Sequence, residues 1–163
     1  MPHPPATLTP EVRAFLEGPM VASIASVDPD GTPRQAVVWY RLEPDGRILV
    51  NSRTPRRWCT NLMREPRVAL SIVDHHDLYR WIGLTAEVDE VVDDVERSRD
   101  DIVALAHRYH PEGPTASSIA GFRNVLAPTI RPRVARSVTA AQPERTDQPS
   151  RMGPCHGPTI DIR

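Results

Sequence analysis

The sequence predicts a mainly β protein, an antiparallel sheet closed into a barrel with helices packed outside it or across an end, and three observations predict it. Strand-like segments outnumber helical ones. Consecutive strands are joined by turns too short for a crossover. Two of those turns, Asp28-Pro29-Asp30-Gly31 and Glu43-Pro44-Asp45-Gly46, share one Pro-Asp-Gly chemistry. At 163 residues and 39% hydrophobic content, the chain holds one domain with a real core and at most a tail.

In order, residues 1–7 read as a loose proline-rich leader and 8–138 as the domain. Thr9-Pro10-Glu11 starts a helix whose apolar residues Val12, Phe15 and Leu16 cover an end of the core, and Gly18-Pro19 stops it. Residues 20–27 and 33–42 form a hairpin, and 47–51 follow the second turn as a strand. A short helix ends at Arg64-Glu65-Pro66, residues 67–73 make a strong strand, and Asp74-His75-His76-Asp77 turns into a long strand over 79–90. Asp93-Asp94 opens an amphipathic helix with Val95, Ile102, Val103, Leu105 and Ala106 on its apolar face, ending near His110-Pro111. Residues 115–126 predict a last helix. Residues 128–138 predict an edge strand, because Pro128 and Pro132 remove ladder donors. Residues 139–163 carry no apolar period and are expected to be disordered.

The stretch that organises this plan is 49–62, LVNSRTPRRWCTNL. Thr54 can cap the helix and Pro55 fits its first turn, which leaves Arg56 and Arg57 where free backbone N–H groups and the helix dipole already favour an anion. Arginines in a first turn are commonly solvated surface charge. Here Asn51, Ser52, Arg53 and Thr54 add donors just ahead of them, enough to converge on one phosphate. No GxxxxGK[ST] occurs, so a monophosphate fits better than a nucleoside triphosphate.

All 20 basic residues are arginine, which excludes lysine Schiff-base chemistry. A formal net charge of -1 gives no global basic excess, and no nucleic-acid partner is expected. With no N-terminal apolar run, a cytoplasmic protein free of membrane segments is expected, its Cys59 and Cys155 unpaired. His75 and His76 sit in a turn without a companion ligand set, and His107 and His110 end a helix where positive charge is favoured, so no metal site is expected. Cys59 lacks a His–Asn set and reads as packing.

An ordered set of segments then resembles a known family. Pro10-Glu11-Val12 leading to Phe15-Leu16, VASIASV with its Asp-Pro-Asp-Gly turn, QAVVWY, LVNS, the paired arginines with Asn61-Leu62, REPRVAL and YRWIGL are similar to the pyridoxamine 5′-phosphate oxidase-like split-barrel flavoproteins, over roughly Leu8 to Phe122. The likeness is strongest to the actinobacterial branch that uses the deazaflavin coenzyme F420. It implies a homodimeric split β-barrel with cofactor sites in the clefts between subunits, and two-electron hydride transfer to or from a small planar substrate. FMN is the alternative cofactor, and a non-catalytic flavin- or tetrapyrrole-binding barrel the alternative function.

Carried over by position, the resemblance puts Gln35, Val37 and Trp39 beneath the cofactor ring and Asn51, Ser52 and Arg53 along the ribityl and phosphate region. Arg56 and Arg57 would clamp the phosphate, and Asn61 would support the helix. Tyr79, Arg80 and Trp81 would approach from the second strand bundle or the partner subunit. No side chain is assigned as general acid or nucleophile, since the cofactor carries the chemistry. Two departures stand out. Trp58 replaces a lysine that many relatives carry, and an arginine- and proline-rich stretch from Ala127 stands where relatives have a hydrophobic closing strand.

Overall fold

The computed structural model describes residues 7–52, 56–92, 94–123 and 128–140. Its elements are α1 (Pro10–Leu16), β1 (Ala22–Val27), β2 (Pro33–Val38), β3 (Tyr40–Leu42), β4 (Ile48–Asn51), α2 (Arg57–Arg64), β5 (Arg67–Val73), β6 (Trp81–Val92), α3 (Val95–Tyr109), α4 (Ala116–Arg123) and β7 (Thr129–Ala140). The seven strands form one sheet in the order β2-β1-β5-β6-β7-β4-β3, with antiparallel neighbours throughout.

That order closes the barrel. β2 and β3 are the two edges of the sheet, yet only Trp39 separates them in sequence. Residues flanking one position lie within about 7 Å of each other, so the sheet must curl until its edges meet at Trp39. The segment 33–42 is therefore two strands rather than the single one its composition predicts. Its first half pairs with β1 and its second with β4, and the chain changes partner at the tryptophan.

Local chemistry accounts for the ends of several elements. The Thr9 hydroxyl accepts from Val12 N–H at 3.4 Å and Pro10 occupies the first turn of α1. Gly31 (φ 87°) and Gly46 (φ 85°) supply the left-handed residues of the two Pro-Asp-Gly turns. α1 buries Val12, Phe15 and Leu16 over one end of the core, whose interior includes Ile24, Tyr40, Ile48, Val50, Ile72, Leu84 and Ile130. At that end Arg108 donates to the carbonyls of Leu16 (3.0 Å) and Gly18 (2.6 Å), tying α3 to α1.

Three expectations need correction. β7 is an interior strand between β6 and β4, not an edge. Pro132 is tolerated there because it faces Val88 beside a register shift between Val88 and Glu90, where the ladder is already interrupted. The closing strand is thus present despite its arginines, with Ile130 and Val134 buried and Thr139 and Ala140, expected in the tail, still paired to β6. Second, α3 buries Ser98, Asp101, Leu105 and Ala106, while Val95 is exposed; the face is rotated because Asp101 pairs with Arg131 of β7 at 2.9 Å. Third, the long strand starts at Trp81, and Tyr79 belongs to the preceding turn, where its N–H donates to Asp77 Oδ1 at 3.1 Å. Residues 1–6 of the leader and the tail beyond 140 lie outside the described residues, as does Cys155; Cys59 is buried and free.

Candidate functional site

α2 runs over the end of β1 nearest the first turn, and each of its long polar side chains on that side has a partner there. Asn61 Nδ2 donates to Asp28 Oδ1 at 2.8 Å and to Ser26 Oγ at 3.3 Å, and Arg64 donates to the Val27 carbonyl at 2.7 Å. Arg57 Nη1 stands 3.7 Å from Asp28 Oδ2, which also accepts from Arg34 Nε of β2 at 2.6 Å. One buried carboxylate thus gathers a helix amide, a helix arginine and a strand arginine. The Asn61 amide, and after it the Arg34 guanidinium, hold the Asp28 carboxyl below the usual carboxylate range.

The helix begins later than its sequence suggests. Arg56 is the cap residue, with extended backbone (φ -75°, ψ 128°) and no side-chain cap bond, so Arg57 is the first helical residue. Thr54 and Pro55, the expected cap and first-turn residue, lie outside the described residues, as does Arg53. Arg56 is exposed and Arg57 keeps 66% of its side chain in solvent. Trp58 turns into the core, and its buried indole Nε1 has no acceptor among the described residues.

The other predicted residues are distributed unevenly. Asn51 faces inward: its amide nitrogen donates to the Ser98 carbonyl (3.1 Å) and Thr129 Oγ1 (2.9 Å), joining β4 to α3 and β7. Ser52 is buried, its N–H on the Pro128 carbonyl at 3.2 Å and its hydroxyl against the Cys59 thiol, whose pKa burial pushes up. Gln35 and Val37 point outward from β2, Val37 with 68% exposure. Trp39 is half-buried and stacks on Tyr109 of α3 at 5.1 Å and 6°, with His110 and Phe122 edge-on. The Tyr109 hydroxyl anchors that stack on the Met20 carbonyl at 2.6 Å and accepts the Tyr40 N–H at 3.1 Å.

Tyr79, Arg80 and Trp81 sit at the far end of the same ladder. Ile72 faces both Ile82 and Ala22, so the β5–β6 turn lies at the Ala22 end of β1 while Asp28 follows its Val27 end. Six residues of strand separate the two groups, about 17 Å. Arg80 is held there over the Phe15 ring at 5.1 Å and beside Asp74 at 3.4 Å. A single protomer does not bring these three residues to Arg57.

Between the two ends, the outward face of β1, β5 and β6 is made of small side chains, including Ser23, Ala25, Ala69, Ser71, Gly83 and Thr85. A groove of about 1050 Å³ crosses it, floored by Ala25, Ala69, Thr85 and Ala135 and walled by Pro33 and Glu87. Among the described residues, no three His, Cys, Asp or Glu side chains converge as a metal site requires, and no helix is long and apolar enough to cross a membrane.

Sequence reading missed Asp28 as more than a turn residue and Tyr109 altogether. Asp28 opens an Asp-Pro-Asp-Gly turn, and that local role fully explains its type; the long-range partner Asn61 is invisible in the pattern.

Among solved structures, the chain is similar to an F420 reductase at 25% identity and a TM-score of 0.67, covering 77% of this chain and 94% of that one. A conserved hypothetical protein from Mycobacterium tuberculosis is similar at 22% identity and a TM-score of 0.65, over 83% and 86% of the two chains. HutZ, the heme storage protein of Vibrio cholerae, shares the fold at 19% identity and a TM-score of 0.62, over 82% and 95%. A comparison with curated protein sequences yields no match. The family model described as pyridoxamine 5′-phosphate oxidase matches residues 8–146, and with the split β-barrel observed the chain belongs to that family.

Proposed function

We propose that the chain is an F420-dependent oxidoreductase, a homodimeric cytoplasmic enzyme whose domain spans residues 8–138 and whose cofactor phosphate is held at the start of α2. The observation that carries the reading is the open cationic end of that helix. Arg56 and Arg57 reach solvent ahead of a helix dipole, and Arg34 stands on the adjoining strand. The donor set suits a phosphoanion, with guanidiniums for its oxygens. Similarity to an F420 reductase favours the deazaflavin over FMN.

In this reading Arg56 and Arg57 bind the phosphate, and Arg34 extends the cationic surface toward the anionic tail that distinguishes F420. Asn61 fixes the helix beneath them. Gln35 and Val37 form a wall on which the ring would lie, and Trp39, stacked on Tyr109, stiffens that strand's end. Asn51 and Ser52 hold the chain ahead of α2 along the ribityl and phosphate region, to which Arg53 would add its guanidinium. The bound deazaflavin supplies two-electron hydride chemistry; the protein's own groups bind, orient and exclude water. Tyr79, Arg80 and Trp81 would come from a second copy, since about 17 Å of strand separates them from Arg57 in one protomer. The small-residue sheet face, flanked by exposed Val27, Val37 and Val73, supports close approach of that copy.

The test is a fluorescence titration of the protein with F420 and, in parallel, FMN, with the oligomeric state measured on the same sample. Micromolar or tighter F420 binding by a dimer, with FMN weaker, is expected. Preference for FMN would move the protein to the flavin-dependent reading, and a folded protein that binds neither would contradict both.

A further inference from the structure

We propose that Asp28 is a positioning residue for the anion site, holding Arg57 at the angle from which its guanidinium engages a ligand. The proposal rests on the reading of α2 as that site. It goes beyond it in assigning a role to an acid, a residue type that electrostatics alone would place away from a bound anion.

Three features of the carboxylate support a mount rather than a neutralising charge. It is rigid: the Asp28 N–H donates to the Thr32 carbonyl at 2.9 Å and its own carbonyl accepts from Gly31 at 3.0 Å, so the backbone is fixed by the turn. It is buried, with 4% of the residue exposed, and Oδ1 is occupied by Asn61 at 2.8 Å. Oδ2 is close to Arg34 (2.6 Å) but 3.7 Å from Arg57 Nη1. The first contact is a tight charge-assisted bond; the second is an ion pair outside hydrogen-bond range. Arg57 therefore faces the carboxylate while, among the described residues, its N–H donors have no hydrogen-bond acceptor. Arg64, held on the Val27 carbonyl at 2.7 Å, pins the other end of the helix, so α2 cannot compensate by sliding.

Sign separates the two roles. Asp28→Asn removes a negative charge beside the site, so a purely electrostatic role makes anions bind more tightly. Positioning makes them bind more weakly.

Wild-type affinity for F420 and FMN is measured first; binding of neither removes the α2 reading itself before any variant is made. With a wild type that binds, Asp28→Asn is expected to weaken F420 binding at least threefold. In an Arg57→Ala background the same substitution is expected to change it less than twofold, because its effect passes through Arg57. Equal or tighter binding by Asp28→Asn, or the same loss in both backgrounds, overturns the proposal and leaves the site standing. If Asp28→Asn does not fold, Arg57→Lys is read instead, at a residue exposed enough to tolerate change. It keeps the charge but loses the fork that faces both Asp28 and the ligand. At least threefold weaker binding supports the proposal, and wild-type affinity overturns it.

Discussion

The molecule holds two arginine clusters that look alike in sequence and differ in what surrounds them. Among β3, β6, β7 and α3, Arg131 is 3% exposed and bonds Asp101 at 2.9 Å, with Glu43 and Glu90 within 4 Å. Around it Arg41, Arg47, Arg97 and Arg133 are matched by Glu43, Asp45, Asp89, Glu90 and Asp101. At the start of α2, Arg34 and Arg57 share the single carboxylate of Asp28, and Arg56 has no ion pair among the described residues. The first cluster is neutralised from within and joins strands to a helix. The second carries uncompensated charge at a solvent-facing helix end, so it is the one suited to a ligand. Arginine content does not distinguish the clusters; the local supply of carboxylates does.

That contrast is sharpest at Arg131. Arg131→Ala removes the hydrogen-bonded partner of Asp101, 8% exposed, leaving it Arg41 at 3.8 Å, and should cost about 3–5 kcal/mol in chemical denaturation. A loss below about 1 kcal/mol would show that the cluster is not structural. The complementary change, Arg56→Ala with Arg57→Ala, should leave the denaturation midpoint nearly unmoved and weaken F420 binding by at least about tenfold, since each charge-assisted bond contributes roughly 1.5–3 kcal/mol. Unchanged affinity in the folded double variant would remove both residues from the site.

Acid titration probes the hinge between helix and turn. Asp28 is depressed in the folded state by Asn61 and Arg34, with Arg57 adding to the depression and desolvation opposing it; Asp30, in the same turn, is the nearby like charge. Its contribution to stability is complete above the ordinary aspartate pKa of about 4 and is lost as pH falls through the lower folded value. The stability gap between wild type and Asp28→Asn should therefore be widest at neutral pH and close below about pH 4; a gap independent of pH would sever the carboxylate from these partners. The smallest effect belongs to the exposed rim. Arg97 is 53% exposed opposite Glu90 at 3.0 Å, and Arg97→Ala should move stability by under about 1 kcal/mol.

What the sequence made legible follows the range of the interactions. The helix start at Thr9, both Pro-Asp-Gly turns and the strand over 67–73 depend on neighbours a few positions away, and all appear as expected. The break at Trp39 depends on which strands flank each half of 33–42, a matter of sheet closure that no local pattern carries. Pro132 suggests an edge because proline lacks a donor, yet a bulge beside its β6 partner Val88 removes the need for one. At the site, Arg56, Arg57 and Asn61 were visible as polar groups at a helix start. The contacts of Arg57 and Asn61 with Asp28 were not, because 33 positions separate it from Asn61 and its turn already explained it. Arg80 and its neighbours read as site residues through resemblance, and the register places them a strand length away.

In the proposed enzyme the open cluster at α2 holds the cofactor phosphate. The most direct test is a crystal structure of the protein with F420 bound. The account predicts phosphate oxygens within about 3.2 Å of the Arg56 and Arg57 guanidiniums, with Arg57 still facing Asp28. A phosphate seated elsewhere, with both arginines in solvent, would contradict it.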